Sequence, residues 1–558
     1  MLPSASINSP GTNTISLTSD FVESRLDATI YNGKRACQAQ KMITKGNHDV
    51  TSTSDGAEPS GPGETAETLP AGENEDFISA TALKWVTSVL LIYFGARLLF
   101  LALSISSFVP PDEVTHAGLC KVFSKTFLLP SNSPETYQYG LVTNIPWLYY
   151  GIMGKLLHLN FFGFSDLVFL RLLNIPFAFG TVWYVVRLLR LFTDNRLTLL
   201  LLVIVMTNTP MFSVLSASVS YDNMANLLAA MAVYFQFAFF RKRSGGLLAV
   251  SLICQLLGCL TKVTFLPLVL ALNVVLCIYE WRNLITFPAA VRQYFQVSTK
   301  RACLAVALLL ILAGLNLQLY GGNYLRYGTL NPGMADVLSP EAAMKYRLGA
   351  RGMIFNQYKD GKISYMDALI LAGEIEHPGD KADTFFLLMN FEKLKRNPQL
   401  WMGPLTYVKF WFQNMLGTIF GIKAHLGMFK PALYMLPVYL VMALAALGFI
   451  VRWRPRESGQ LSPGLAAVVI FYAGYLMYEV NYDNYLNYGE PGLTMYGRYL
   501  FLLLAPVYVL MCHYLLLLSR SNYIRWSLAL SAALLFVSYD FPWFLMHATP
   551  EWYDWLPR

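Results

Sequence analysis

The sequence predicts an all-helical membrane protein that crosses the bilayer many times. Of its 558 residues, 55% are hydrophobic and only 14% are charged, and the mean hydropathy is +0.43. A soluble chain carries nearly twice that charged fraction. Apolar runs recur along the chain, and the length needed to span a bilayer gives about eleven transmembrane helices. The net charge of +8 is therefore interpreted as a positive-inside signal and not as an affinity for nucleic acid.

The first 80 residues differ from the rest of the chain. They are rich in Ser, Thr, Gly, Asn and Pro and show no apolar periodicity, which is typical of disorder. No apolar segment of the signal-peptide type precedes Ala82, so we expect the first spanning helix to act as the insertion signal and the tail to be cytoplasmic. A start codon assigned too far upstream is an alternative explanation of this tail.

Spanning helices are predicted where an apolar run reaches bilayer length and a basic cluster marks its cytoplasmic end. The predicted spans cover residues 82–109, 167–190, 197–219, 221–240, two short spans within 247–282, 303–321, 431–451, 463–481, 497–518 and 525–545. The basic clusters at 241–243, 452–456 and 520–525 then lie inside. The amino terminus is cytoplasmic, and the carboxyl-terminal tail, 546–558, is extracytoplasmic.

The multi-spanning domain, residues 81–545, carries two extracytoplasmic loops of helical character. The first, 110–165, contains an apolar segment at 146–159 that is too short to span and is predicted to lie at the interface. The second, 322–430, has a helix start at Ser339-Pro340 and a helix stop at Pro398. Residues 399–421 within it are apolar and aromatic. A span there would place the basic cluster at 452–456 outside, so we interpret it as interfacial or re-entrant.

The most informative stretch, Pro110-Pro111-Asp112-Glu113, follows the first span directly. The prolines end the helix, which places two carboxylates at the membrane surface. A carboxylate there can act as a general base, and two adjacent carboxylates can hold a divalent cation such as Mg or Mn. Alternatively, the pair only marks the interface. His116, one helical turn after Asp112, is a candidate for either a catalytic or a structural role.

Four further residues are candidates for the same site or for bland structural roles. Asp222 begins a helix, where it is either a cap or part of the site. Lys262 and Arg498 can stabilise a phosphate, or they can snorkel to water and anchor to headgroups. Arg97 lies near the middle of the first span, where an ionisable group is a functional candidate unless it pairs with a helix carbonyl. Apart from Arg97, the predicted topology places these groups and the acids on one side of the membrane.

One membrane helix followed by an extracytoplasmic Asp-Glu pair resembles the C-type glycosyltransferase (GT-C) superfamily. This superfamily includes protein O-mannosyltransferases and the aminoarabinose transferases that act on lipid A. The chain matches, in order, a pattern of its uncharacterised bacterial branches: Pro110-Pro111-Asp112-Glu113 with His116, Asn144-Ile145-Pro146-Trp147-Leu148-Tyr149-Tyr150, Asp222, Thr261-Lys262 and Gly497-Arg498-Tyr499-Leu500-Phe501. The resemblance covers residues 82–518, and only the Asp-Glu element is fairly specific. Asn144-Ile145-Pro146 replaces the His-Pro-Pro of many relatives, and no Trp-Trp-Asp motif of the oligosaccharyltransferase kind is present.

The resemblance implies a glycosyltransferase of the bacterial inner membrane. It implies transfer of a hexose or pentose from a polyprenyl-phosphate-linked donor to an extracytoplasmic glycan, glycolipid or protein, with membrane lipids as partners and no obligatory cofactor. In that reaction Asp112 is the base, Glu113 contacts the acceptor or a metal, and Lys262 and Arg498 bind the donor phosphate. The possible site-lining residues are His116, Asp222, Arg97 and Tyr499.

Two other functions remain open. A transporter or flippase of lipid-linked glycans is one, although it would be expected to show inverted repeats that the two halves of the chain lack. A polymerase or ligase of surface polysaccharide is the other.

Overall fold

The computed structural model describes residues 78–281, 292, 296, 299–346, 349–376, 378–423, 426–452 and 461–554. The predicted disordered tail lies outside the described residues except for its last three positions. Of the basic cluster predicted at 452–456, only Arg452 is described. The last four residues of the carboxyl-terminal tail also lie outside this set.

Apolar helices occupy every segment in which a span is predicted. Within the described residues, eight helices are long and apolar enough to cross a bilayer, and a bent helix pair makes a ninth span if it is counted as one. Two further apolar helices are shorter, with 17 and 16 residues. The prediction of an all-helical, multi-spanning membrane protein is therefore confirmed. The eight are Ala80–Ser104, Asp166–Leu189, Tyr221–Lys242, Thr299–Tyr327, Ala432–Arg452, Leu461–Tyr488, Gly497–Leu517 and Asn522–His547; the bent pair is Arg196–Thr207 with Pro210–Ser216, and the shorter helices are Gly245–Thr261 and Phe265–Glu280.

The span predicted as a single helix over 197–219 is broken. Its first half ends at Thr207, and its second half begins at Pro210 with a bend of 64° between them. Proline lacks an amide donor and therefore suits the first turn of a new helix. The side-chain amide of Asn208 donates to the Ile204 carbonyl (2.8 Å), which satisfies one acceptor at the break. The span predicted over 197–219 is therefore present as a bent helix pair, and the bend itself was not predicted.

Two spans extend further than predicted and end in the same way. Each contains a π-helical segment, Leu317–Gly321 or Leu476–Tyr482, and then one more short α-helical stretch. Each ends at a left-handed glycine, Gly328 (φ 70°) or Gly489 (φ 71°), as is common after a helix. The last six residues are nearly identical, Asn-Tyr-Leu-Arg-Tyr-Gly at 323–328 and Asn-Tyr-Leu-Asn-Tyr-Gly at 484–489.

Short helices fill the segments between the spans. The first loop contains Glu113–Ser124, Pro134–Tyr137 and Leu148–Leu156, followed by a 3₁₀ turn at Leu157–Leu159. The second contains Met334–Val337, Pro340–Ala343, Gly349–Lys359, Tyr365–Gly373, Pro378–Arg396, a 3₁₀ turn at Pro398–Leu400, Pro404–Ile419 and an antiparallel pair of strands, Ile422–Lys423 with Gly427–Met428. A last 3₁₀ turn is Pro550–Trp552.

The helix signals of the second loop are confirmed. Ser339 caps Pro340–Ala343 by accepting a hydrogen bond from the Ala342 amide (3.3 Å). The longest helix, Pro378–Arg396, ends just before Pro398. Three of these helices share a small apolar core of their own, built around Ile354, Phe355 and Leu388. The apolar segment at 399–421 forms Pro404–Ile419, which is not among the helices long enough to span.

Two spans form the centre of the bundle. In Tyr221–Lys242 and Gly497–Leu517, 78% and 72% of the most apolar window is buried, against 22–39% in the other candidate spans. Because hydrocarbon chains can cover an exposed apolar side chain, the less buried helices are suited to face lipid. The central pair begins with Asp222 near the start of one helix and Arg498 near the start of the other.

Candidate active site

Asp112 lies at the break between the first span and helix Glu113–Ser124. Its backbone is left-handed (φ 59°, ψ 14°), and its side chain makes no capping hydrogen bond to that helix. Residues with a Cβ seldom adopt this conformation, although Asp tolerates it better than most. The side chain is half exposed (50%) while Val109 and Pro111 beside it are buried. The strained turn therefore holds the carboxylate of Asp112 at the surface of the helix bundle, where it is open to solvent.

Glu113 points the opposite way, into the bundle. Its carboxylate is fully buried and accepts two hydrogen bonds from Arg171, one from Nε (2.9 Å) and one from Nη2 (2.5 Å). It accepts a third from the amide of Val219 (2.8 Å). Burial raises the pKa of Glu113, and the Arg171 guanidinium opposes that rise. The adjacent acids therefore do not form one site: Asp112 faces outward and Glu113 joins elements together.

Arg171 is a residue that the sequence analysis missed. Its Nε and Nη2 bind Glu113, and its Nη1 donates to the carbonyls of Ala102 (3.1 Å) and Ile105 (2.7 Å), where the first span ends. The guanidinium thus ties the end of that span to the residue following Asp112. An arginine inside an otherwise apolar segment is the signal that could have revealed it.

Four charged residues far apart in the sequence meet behind Asp112. Arg498 pairs with Asp112 (2.7 Å) and lies 3.9 Å from Asp222, which in turn pairs with Lys262 (2.5 Å). The signs alternate, so the chain of charges sums to zero. Asp222 is not the helix cap, since Ser220 accepts the hydrogen bond from the Asp222 amide (3.2 Å). The structure therefore brings together the predicted residues Asp112, Asp222, Lys262 and Arg498.

Tyrosine rings separate the cations of this cluster. Lys262 Nζ lies 4.9 Å from the centroid of Tyr499, and Arg498 Cζ lies 5.6 Å from the same ring. Arg498 is also 5.3 Å from the centroid of Tyr496, whose ring meets a third cation, Lys423 Nζ, at 4.5 Å. Tyr499 follows Arg498 within a seven-residue 3₁₀ stretch, Gly497–Leu503, which is long for that helix type, and Tyr496 directly precedes that stretch. Cations over aromatic faces are attracted by the ring quadrupole.

An open cleft of about 580 Å³ leads from solvent to Asp112 and Arg498. Helices of the second loop form one wall, including the ion pair Arg351–Asp383 (3.2 Å). The other wall is formed by Lys423 of the strand Ile422–Lys423 and by the loop, residues 490–496, that precedes the span Gly497–Leu517. The full lining is Pro111, Asp112, Arg351, Asp383, Phe386, Leu387, Lys423, Glu490, Gly492, Leu493, Thr494, Tyr496, Arg498 and Tyr499.

Backbone strain is concentrated at this cleft. Among the described residues, three that are not glycine have a positive φ, and two of them, Asp112 and Thr494 (φ 63°), line it. The third, Arg243, follows the end of a helix, where this conformation is common. For a β-branched residue such as Thr494 a positive φ is a genuine outlier. Asn481 and Asn484 hold Thr494 through hydrogen bonds to its carbonyl and hydroxyl oxygens.

Lys262 is buried and does not line the cleft. Its side chain is 3% exposed, and it lies behind Tyr499 with its ammonium on Asp222. The ammonium therefore does not snorkel to water, and its predicted role at a donor phosphate stays a prediction. Lys423 does line the cleft, although no sequence signal distinguished it from other lysines of the second loop.

His116 lies beside the cluster and is held by aromatic neighbours. Its Nδ1 is 2.8 Å from the Tyr150 hydroxyl, and its ring meets the Tyr221 ring edge-on at 4.7 Å. Burial lowers the pKa of His116 to about 4, although the charge of Asp112 opposes that shift. The imidazole is therefore neutral at neutral pH.

Arg97 belongs to a different buried centre. It pairs with Asp540 (2.5 Å) and also donates to the Thr207 carbonyl at the break in the bent helix pair. Asp540 in turn accepts from the Ser213 hydroxyl (2.9 Å). The pairing with a helix carbonyl that was considered for Arg97 is therefore found, together with a carboxylate partner that was not predicted, and the structure does not bring Arg97 to Asp112.

The acids do not fit the divalent-cation site considered from the sequence, because Asp112 and Glu113 point apart. In the part of the chain that the structure describes, no group of three or more His, Cys, Asp or Glu side chains could hold a metal ion.

Comparisons with known proteins gave distant structural neighbours. No family model matches the sequence, and no curated protein matches it. Two solved structures are similar: ArnT from Cupriavidus metallidurans in the apo state, and the same protein bound to undecaprenyl phosphate. Each has 12% sequence identity and a TM-score of 0.33, with 78% of either chain covered. At that TM-score the similarity carries no weight for the function of this chain.

Proposed function

We propose that this chain is a membrane glycosyltransferase that takes a sugar from a polyprenyl-phosphate donor. The observation that carries the proposal is the half-exposed carboxylate of Asp112, held in a strained turn at the head of a cleft and beside the guanidinium of Arg498. A base adjacent to a phosphate-binding cation is what sugar transfer from a lipid phosphate requires. The resemblance of the sequence to the GT-C superfamily implies the same chemistry.

In the proposed reaction, Asp112 accepts the proton of an acceptor hydroxyl as that oxygen attacks the anomeric carbon. The bond from the anomeric carbon to the phosphate oxygen breaks, and its electron pair stays with the lipid phosphate. Arg498 stabilises the charge that accumulates there, since a guanidinium can bind two phosphate oxygens at once. Attack from the face opposite the leaving group inverts the anomeric configuration.

Other residues support this pair without touching the reacting atoms. Glu113, with its arginine, positions the turn that carries Asp112. Asp222 and Lys262 complete the charges behind Arg498, and Tyr499 separates the two cations. His116 lines the site as a neutral group. Arg97 has no role in transfer in this proposal, and neither does a metal.

The cleft is proposed to open on the extracytoplasmic side of a bacterial inner membrane. Helix Tyr221–Lys242 has Asp222 at one end and the basic residues 241–243 at the other, about 30 Å away at 1.5 Å per residue. Basic clusters favour the cytoplasm, which sends Asp222 outward. The carboxyl-terminal segment lies on the same side, because Tyr553 pairs with Ile105 just before the strained turn.

Sugar transfer by the purified protein tests the proposal. A panel of polyprenyl-phosphate sugars, hexoses and pentoses, is supplied with extracytoplasmic glycan, glycolipid and protein acceptors, and the product is detected by mass spectrometry. At least one donor should yield an elongated acceptor and free polyprenyl phosphate in equal amounts. Movement of an intact lipid-linked glycan across proteoliposomes without any transfer would instead favour a flippase.

A further inference from the structure

Lys423 is the cation of the cluster whose charge is least compensated. Lys262 and Arg498 each face a carboxylate at 2.5 and 2.7 Å. Lys423 Nζ donates to a neutral acceptor, the Met495 carbonyl (3.1 Å), and the described residues include no carboxylate within 4.0 Å of it. The nearest opposing charge acts at longer range, from Glu490. An ammonium has three donors, so beyond the Met495 carbonyl Lys423 can still donate to a ligand in the cleft that it lines.

The local fold directs Lys423 into the cleft. It follows Ile422 in a two-residue strand, and neighbouring side chains of a strand point to opposite faces. Ile422 is buried (2%), so Lys423 faces the other way, over the ring of Tyr496. The partner strand, Gly427–Met428, fixes that orientation. Arg498 lies near the same ring, so two cations that line one cleft share one tyrosine.

We propose that Lys423 and Arg498, and not Lys262, form the subsite for the anionic phosphate of the lipid donor. This deepens the proposed function and rests on it for the identity of the ligand. Arg498 alone already has a carboxylate partner, so an arriving phosphate finds little net positive charge there. Lys423 supplies the missing charge at the point where the cleft is open. Lys262 is excluded from contact because it is buried behind Tyr499.

The chemistry of Lys423 agrees with a bound anion. Burial lowers the pKa of Lys423, and the charge of Glu490 opposes this only in part. A phosphate beside the ammonium raises that pKa again, because it stabilises the charged form. Charge-assisted hydrogen bonds to phosphate are stronger than neutral ones, so the ammonium and the guanidinium together favour a phosphate over a neutral headgroup.

Binding of farnesyl phosphate to the purified full-length protein in detergent micelles tests this subsite without any turnover. Farnesol, which has the same tail and no charge, measures binding of the tail alone. Lys423→Met keeps the apolar stem and should weaken farnesyl phosphate binding by about tenfold to a hundredfold, the worth of one charge-assisted hydrogen bond. Farnesol binding should not change, and Lys423→Arg should restore phosphate binding to within about threefold of the wild type.

Lys430 provides a matched control on the other side of the same hairpin. Like Lys423 it lies over aromatic rings, in this case those of Tyr539 and Trp543, and donates to a backbone carbonyl, that of Phe420. It does not line the cleft. Lys430→Met should therefore bind farnesyl phosphate like the wild type. Equal losses in both Met variants, or no loss in Lys423→Met, would overturn the subsite.

A measurement on the wild type does not depend on how any variant folds. An amine-reactive acylating reagent should label Lys423, and farnesyl phosphate should slow that labelling several-fold while farnesol does not. Unchanged labelling would refute the subsite. If farnesyl phosphate protects Lys423 but no donor supports sugar transfer, the phosphate subsite stands and the proposed enzyme activity fails. If transfer occurs and Lys423 is unprotected, the reverse holds.

Discussion

Replacement of Asp112 by Asn is the sharpest test of the proposed base. Asn has nearly the same shape and cannot accept the acceptor's proton. It also tolerates a left-handed backbone as well as Asp does, so the turn at φ 59° should survive. General-base catalysis contributes roughly 10²–10⁴-fold, and we expect the rate of sugar transfer to fall by that factor. The assay is release of polyprenyl phosphate by purified protein under single-turnover conditions.

The effect on stability should be small by comparison. Asp112 is half exposed, so its pair with Arg498 contributes no more than about 1 kcal/mol. Arg498 keeps Asp222 nearby at 3.9 Å, so its charge is not left alone. The thermal midpoint of Asp112→Asn should therefore lie within a few degrees of the wild type. A folded variant that transfers sugar at a near-normal rate would refute the assignment of the base.

Three other outcomes follow from the same contacts. Glu113→Gln leaves a buried guanidinium without its counter-charge and should cost about 3–5 kcal/mol of stability, seen as a lower thermal midpoint; unchanged stability would mean that Glu113 acts elsewhere. The pKa of His116 is about 4 in the folded chain and 6.5 in the unfolded chain, so between these values the unfolded chain binds one more proton. The free energy of unfolding should therefore fall as the pH drops from 6.5 to 4, and it should fall less steeply in His116→Gln. For topology, an impermeant thiol reagent should reach Asp360→Cys in intact cells and Ser244→Cys only after permeabilisation; labelling of Ser244→Cys from outside would reverse the orientation.

Hydropathy and charge predicted the helices well because bilayer thickness fixes their length. Even the two short spans predicted within 247–282 are found there, as Gly245–Thr261 and Phe265–Glu280. Hydropathy and charge report the length and the ends of a span but not whether it bends. The helix break before Pro210 was therefore not predicted, although the proline is visible in the sequence.

The sequence predicted which residues form the site better than it predicted how their side chains are arranged. Asp112, Asp222, Lys262 and Arg498 do come together, because the topology placed their helix ends on one side. Adjacency in sequence suggested a carboxylate pair, but Asp112 has a left-handed backbone and Glu113 is buried against Arg171. Asp adopts a left-handed backbone more readily than most residues, but only a minority of Asp residues do so, and the sequence does not identify which ones.

Lys423 was out of reach for a different reason. Its importance depends on which neighbouring cations already have carboxylate partners, and those partners lie hundreds of residues away in some cases: Asp112 and Arg498 are 386 positions apart. Local composition around 423 resembles any interfacial segment with one lysine. The charge balance of a site becomes visible only when the chain is folded.

The π-helical segment Leu476–Tyr482 determines which way the side chains of the following helical residues, 483–488, point around the helix axis. Successive α-helical residues advance by about 100°, so one extra residue in a wide turn rotates the rest of the helix by that angle. A helical wheel drawn through the whole span therefore assigns Asn484 to the wrong face. In the folded chain Asn484 reaches Thr494, and the loop between them carries Glu490 along the cleft. The π-helical turns inside this membrane helix thus set the direction in which one wall of the proposed catalytic cleft leaves the helix end.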